Sequence, residues 1–154
     1  MNTIIIFCAS YLYLVSIALY ALVLLQSPKK KRLSIIWLSA LSFPLTFIIG
    51  KLSGYLISSP RPFVTEHIKP LIAHVADNGF PSDHTLLTMT IATVIFIYHK
   101  KVGIVLFILA LLVGTARVVG QIHHPLDIIG ASAIAIATTL ASFFIKKKMT
   151  KNKS

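Results

Sequence analysis

Arg117, His123 and Asp127 fall within eleven residues of one another, in the stretch Arg-Val-Val-Gly-Gln-Ile-His-His-Pro-Leu-Asp between two apolar runs. Ionisable groups at the edge of a membrane are costly to keep and are functional candidates by default. Their types fit one chemistry. Arginine offers phosphate a planar fork of donors, histidine can attack phosphorus, and an aspartate four residues on can orient that histidine. On a helical turn the i, i+4 spacing lets His123 and Asp127 face each other. His124, at i, i+3 from Asp127, competes for the same role, and Pro125 favours a helix that starts there. Spacing alone does not choose between the two histidines, and an ordinary polar loop has the same composition.

Two further polar stretches could share this chemistry. In Ser58-Ser59-Pro60-Arg61-Pro62-Phe63 the flanking prolines restrict the backbone, so Arg61 is presented from a stiff segment. The bland alternative is a helix stop with an interfacial arginine. In Gly79-Phe80-Pro81-Ser82-Asp83-His84-Thr85 a helix is expected to open. The free N–H groups and positive dipole end of a helix start make an anion site, to which Ser82 adds a hydroxyl and His84 a proton donor. Ser82 or Asp83 is equally suited to be a plain N-cap.

The elements that must position these groups are apolar. The chain has 154 residues, 56% hydrophobic and 12% charged, with a mean hydropathy of +0.84. A soluble domain carries about a quarter charged residues, so the composition points to an integral membrane protein, an all-α helical bundle in a single domain over 1–154. Five apolar stretches are expected to span, at roughly 4–25, 33–57, 85–98, 102–116 and 128–145. Pro44 is expected to kink the second. The first lacks a basic lead and is followed at once by four basic residues, which favours a retained span over a cleaved signal. The one cysteine, Cys8, excludes a disulfide framework and reads as a packing residue.

Basic residues orient the bundle. Residues 29–32, Lys100 and Lys101, and Lys146, Lys147, Lys148, Lys151 and Lys153 fall on one side if all five stretches span. These are eleven of the fifteen basic residues and include no acid among them. By the positive-inside rule that side is cytoplasmic, which puts the N-terminus outside and the C-terminus inside. Lys51, Arg61, Lys69 and Arg117 share the outer half with Glu66, Asp77, Asp83 and Asp127, four against four. The net charge of +11 is therefore an orienting charge. Nucleic-acid binding is disfavoured, because the basic runs lack interleaved aromatics and flank the spans. His99 falls on the inner side beside Lys100. The other five histidines are outside with the three polar stretches, which thus share one membrane face.

Taken in order, the three stretches resemble the motifs of the type 2 phosphatidic acid phosphatase family: Lys-x6-Arg-Pro, Pro-Ser-Gly-His and Ser-Arg-x5-His-x3-Asp. Here they read Arg61-Pro62, Pro81-Ser82-Asp83-His84 and Ala116-Arg117-x5-His123-x3-Asp127. The resemblance implies that His123 is the nucleophile, that Asp127 holds its ring, and that His84 protonates the leaving oxygen and then serves as base for water. It assigns Arg61, Ser82 and Arg117 to the phosphate oxygens and asks for no metal or cofactor. It also selects His123 over His124. The sequence departs from the pattern at three places. Ala116 stands for serine. Asp83 stands for glycine, a carboxylate that must point away, cap the helix, or pair with Arg61 or a histidine. Gly54 stands where the lysine belongs, and Lys51 is the candidate replacement. It lies three residues earlier on the same helical face, about 5 Å deeper, within reach of a snorkelling side chain.

The third and fourth stretches, at most fifteen residues, cover about 22 Å of a roughly 30 Å hydrocarbon core. The pocket floor is therefore expected below the outer surface, where a lipid phosphate could come in sideways. The loop from Glu66 to Asp77 could lie along the interface as a lid, although a plain connection fits as well. By resemblance the substrate is a lipid phosphate of a bacterial inner membrane, held at an extracytoplasmic site. Undecaprenyl diphosphate is favoured, and phosphatidylglycerophosphate, phosphatidic acid and lipid A phosphates stay open. A non-catalytic lipid-phosphate binder or transporter is the competing class. Oligomeric state cannot be read from the sequence.

Overall fold

The computed structural model describes residues 2–151, with side chains to Met149, so Lys153 lies outside the described residues and only the backbone of Lys151 within them. Among the described residues there are seven helices: α1 (Asn2–Ser10), α2 (Leu12–Gln26), α3 (Lys29–Leu56), α4 (Pro62–Thr65), α5 (Asp83–Tyr98), α6 (Lys100–Val119) and α7 (Pro125–Lys151). Proline opens two of them, Pro62 and Pro125 at the first helical turn, where the missing N–H costs nothing.

Each expected apolar stretch is helical, with two differences. The first, read as one span, is broken. α1 and α2 meet at 44°, and at the break Leu14 N–H bonds to the Tyr11 carbonyl only three residues back. The second is helical on both sides of Pro44, which stands inside α3. The fourth is also longer than its apolar core: α6 has 20 residues, about 30 Å, because Lys100, Lys101 and Arg117 extend it at the ends. α3, α6 and α7 are long and apolar enough to cross a membrane, and the α1–α2 pair makes a fourth if counted as one span. α5, with 16 residues, is about 24 Å long.

α5 is short and sits at the centre. It packs against α2, α3, α6 and α7, and Thr85, Leu86 and the run from Thr88 to Ile95 are buried along it. The lower core joins Ile91, Ala92, Val94 and Ile95 to Val23, Ile35, Leu38 and Leu106. Its buried threonines are satisfied within the helix: Thr88, Thr90 and Thr93 hydroxyls donate to the carbonyls of His84, Leu86 and Met89. Lipid tails are as apolar as leucine, so such a bundle is held by close packing and interhelical hydrogen bonds, each of order 0.6 kcal/mol. Thr46 of α3 meets Thr138 of α7 at 2.6 Å, and Tyr20 of α2 meets Ser39 of α3 at 2.7 Å. The outside is apolar, with Trp37, Phe47, Ile108, Leu111 and Phe144 exposed, as a lipid-facing belt requires.

The two ends differ. At one, Ser27 meets His99 and Lys146 Nζ donates to Ser34 O and Tyr98 Oη, drawing the ends of α2, α3, α5 and α7 together with their basic residues. The opposite end gathers the C-termini of α3 and α6, the N-termini of α5 and α7, and the connection through α4.

Candidate active site

The end of α6 and the start of α7 place the first three candidates. Gln121 sits in the left-handed region at φ 63°. Gln121 N–H bonds to Val118 O and Ile122 N–H to Arg117 O, the two bonds that close a helix with a left-handed residue after the cap. This closure turns the chain sharply and buries Ile122 and His123. α7 then begins with His124 as its capping residue and Asp127 in its first turn. One carboxylate oxygen, Asp127 Oδ2, accepts the His124 backbone N–H at 2.8 Å and the His123 Nδ1–H at 3.3 Å. The first bond is the return half of a capping box. It uses the backbone of His124, whose ring instead meets Pro60 O at 3.1 Å. Which histidine faces the carboxylate, open on spacing alone, is thus decided by geometry: His123.

Asp127 is fully buried and its second oxygen accepts the Ser59 hydroxyl at 2.8 Å. With Nδ1–H given to Asp127, His123 Nε2 carries no hydrogen and presents its lone pair to the cavity. Two guanidiniums flank that atom, Arg61 Nη1 and Arg117 Nη2, each 3.4 Å away. Burial first, with help from the charges of Arg117 and Arg61, holds His123 below its ordinary value, against the pull of the Asp127 hydrogen bond. That shift favours the neutral imidazole, the form that can attack phosphorus.

Both arginines are buried and braced. Arg61 Nη1 donates to Ile122 O at 2.7 Å and Nε to Asp77 Oδ1 at 2.7 Å. Burial opposes the charge of Asp77, but the hydrogen bond and charge of Arg61 outweigh it and keep the carboxyl below its usual range. Arg117 Nη1 donates to Ala9 O of α1 at 3.1 Å, at the break in the first span. Arg117 Nε is buried with no hydrogen-bond partner among the described residues. A buried donor is costly to leave unpaired, and a substrate oxygen would satisfy it.

These groups line one cavity of about 540 Å³ with Lys51, His74, Asp83 and His84. His84 stands in the first turn of α5, its ring edge-on to Tyr13 of α2 at 4.8 Å. Ser82 is the N-cap by backbone, yet its side chain makes no capping bond. It is fully buried, accepts from Thr85 Oγ1 at 3.2 Å, and lies behind the lining. Lys51 reaches the cavity and pairs with Asp83 at 3.4 Å, both half exposed or more. Asp83 was expected to turn away, cap, or pair with Arg61 or a histidine; its partner is the displaced lysine instead. At Gly54, the place of the family lysine, a Cβ would stand 2.8 Å from Phe80 O, so the loop before α5 packs on the bare backbone there.

The geometry adds residues that the sequence did not point to. Ser59 and the Ala9 carbonyl hold Asp127 and Arg117, Tyr13 packs on His84, and His74 lines the cavity. Gly79 allows the loop to approach, since a Cβ there would lie 2.9 Å from Asp127 Oδ2 and 3.0 Å from Ser59 O. Ser59 was at least visible beside Arg61 in the same polar stretch. Among the described residues no three His, Cys, Asp or Glu side chains are grouped to hold a metal ion; the positive groups here are arginines and a lysine.

The PAP2 superfamily profile matches residues 12–151. The chain is 34% identical over 152 residues to the bacitracin transport permease protein BcrC of Bacillus licheniformis, covering 97% of this chain and 74% of that protein. It is 38% identical over 96 residues to the undecaprenyl-diphosphatase BcrC of Bacillus subtilis (strain 168), covering 60% and 50%. The chain thus spans about three quarters of the first relative and half of the second. The crystal structure of Aquifex aeolicus LpxE shares the fold at a TM-score of 0.73 and 24% identity, over 93% of this chain and 87% of that one.

Proposed function

The chain belongs to the PAP2 superfamily, a lipid phosphate hydrolase with membrane helices, and from that premise we propose that it cleaves undecaprenyl diphosphate to undecaprenyl phosphate and inorganic phosphate through a phosphohistidine on His123. The observation that carries this reading is the His123 ring: Nδ1–H is given to a buried carboxylate, and the unprotonated Nε2 faces two guanidiniums at 3.4 Å.

In the first step His123 Nε2 bonds to the terminal phosphorus and the bridging P–O bond breaks. His84 gives a proton to the departing lipid phosphate. Arg61 and Arg117 hold the equatorial oxygens, where charge builds up, joined by Lys51 at the mouth; Ser82, expected from the resemblance to bind phosphate, is fully buried behind the lining and caps α5 through its backbone instead. Asp127 stabilises the positive charge on the phosphorylated ring. In the second step His84 takes a proton from water, whose oxygen attacks phosphorus and releases phosphate and His123. One water is consumed and both histidines return to their starting state.

The substrate reading is supported by the relative named undecaprenyl-diphosphatase and by Pro81-Ser82-Asp83-His84. The bundle is read as a single domain of five spans in the cell membrane. α1–α2 form one broken span and α5 the short central one. The basic ends lie in the cytoplasm and the site opens on the far side. A second reading follows from the relative named a transport permease: a binder or transporter of lipid phosphates with no turnover.

Purified protein without added metal, given undecaprenyl diphosphate, phosphatidylglycerophosphate and phosphatidic acid in parallel, separates the readings. Fastest phosphate release from the diphosphate is expected. Faster release from a glycerolipid would transfer the substrate assignment, and release from none would favour the transporter.

A further inference from the structure

His74 lines the cavity but belongs to none of the three motifs. It lies in the connection between α4 and α5, which is fastened on both sides of it. Upstream, Leu71 N–H bonds to Gly120 O at 3.3 Å. Downstream, Asp77 takes Arg61 Nε at 2.7 Å, and Gly79 N–H bonds to Ser59 O at 2.8 Å. Between these anchors the His74 ring turns inward, 6.4 Å from the His123 ring and tilted by 72°. Its Nδ1 lies 3.4 Å from Val75 O and its Nε2 lies 3.4 Å from Arg117 Nη2. Only the tautomer with hydrogen on Nδ1 suits both contacts, so Nε2 accepts from Arg117. Arg117 Nη2 is thus shared by His74 Nε2 and His123 Nε2, at 3.4 Å from each.

A phosphoryl group in front of His123 Nε2 needs that same guanidinium N–H. Once Arg117 Nη2 turns to a phosphate oxygen, His74 Nε2 loses its donor while facing the same oxygens. We propose that His74 is a further substrate-contacting residue: when phosphate binds, its Nε2 takes up a proton from solvent, keeps it, and donates an N–H hydrogen bond to a non-bridging phosphate oxygen. No bond to phosphorus forms or breaks in this step, and His74 is exposed, so water reaches it. The proposal rests on the reading of this cavity as a phosphate site.

The charges around His74 support it. Burial and then the Arg61 charge, together with Arg117, hold His74 below its ordinary value, against Val75 O and Asp77. His123 faces it from the α6–α7 turn, and His84 feels it from α5. A bound dianion offsets the two guanidiniums, so phosphate binding and proton uptake by His74 reinforce each other. Affinity for a phosphate-like dianion should then tighten as pH falls.

The test uses tungstate, a tetrahedral dianion, titrated against the full chain in detergent by thermal shift. Wild type, His74→Gln and His74→Ala are compared between about pH 6.5 and 8.5, the range in which a histidine titrates. Glutamine keeps a donor and an acceptor but cannot titrate, and His74 is exposed, so the variants are expected to melt as the wild type does without tungstate. At the low end of the range both variants should bind roughly tenfold more weakly than wild type, the scale of one charge-assisted hydrogen bond. At the high end the difference should vanish. A ratio constant across pH, or no difference at any pH, overturns the role of His74. Wild type that binds no tungstate overturns the phosphate-site reading itself. Wild type that shows the His74-dependent pH effect but hydrolyses no lipid phosphate overturns only the proposed reaction.

Discussion

Replacing Asp127 with asparagine isolates charge from shape. The carboxylate accepts Ser59 Oγ on one oxygen, and the His124 N–H and His123 Nδ1–H on the other. Asparagine can keep its oxygen toward the two nitrogens and turn its amide toward Ser59, whose hydroxyl rotates to accept. The fold and the His123 tautomer then survive, and what is lost is the negative charge 3.3 Å from Nδ1. At an effective dielectric constant of about 20, a charge pair at that separation is worth up to about 5 kcal/mol. That charge opposes the cation that forms when His123 is phosphorylated. At 1.36 kcal/mol per factor of ten, and allowing for the neutral hydrogen bond that remains, Asp127→Asn should lower kcat/KM by about two to four orders of magnitude, with melting close to wild type. The assay is phosphate release from a diphosphate lipid in detergent. Its pH profile gives a second readout. Neutral His123 is the reactive form, so activity falls as pH drops through its pKa. Burial sets that limb below the ordinary histidine value of 6.5. The Asp127 hydrogen bond pulls the pKa upward, so the variant should carry its acid limb to still lower pH. A loss under tenfold in a folded variant, with the limb unmoved, would refute the role given to Asp127.

Gly79→Ala pushes a methyl against Asp127 Oδ2 and Ser59 O; overpacking of this kind costs about 1–3 kcal/mol, and a displaced carboxylate should reduce kcat by roughly a hundredfold, read by melting and initial rates together. Lys51→Met should greatly reduce turnover while the protein still inserts and melts normally, because the Lys51–Asp83 pair is exposed and contributes little to stability. Near-normal activity in that variant would remove Lys51 from the site, and a partial recovery on adding Asp83→Gly would show that the unpaired carboxylate repels the substrate phosphate.

Much of this site was legible in the sequence because its parts are local. Proline at Pro125 marks a helix start, hydrophobic runs mark the helices, and the four-residue step from His123 to Asp127 is one helical turn. What was hidden depends on distant approach. Ala9 O reaches Arg117 across 108 positions and Ser59 reaches Asp127 across 68, with no periodicity to announce either. The bend between α1 and α2 was also invisible, since neither proline nor glycine marks Tyr11. His74 lay in a loop whose composition suits a plain connection as well as a lid. Its position follows from the backbone bond of Leu71 to Gly120, which no residue type encodes. The Asp83–Lys51 pair shows a related limit: each looked like a separate departure from the family pattern, and only the α3–α5 packing makes one the partner of the other.

In the proposed reaction His123 Nε2 is the atom that accepts the phosphoryl group. Single-turnover reaction of the full chain with a diphosphate lipid labelled at its terminal phosphate, quenched in alkali, tests this most directly, because phosphohistidine survives base. Label should be found on the peptide holding His123 and be absent from His123→Ala. Turnover by the wild type with no label on the protein, or with label on any residue other than His123, would contradict it.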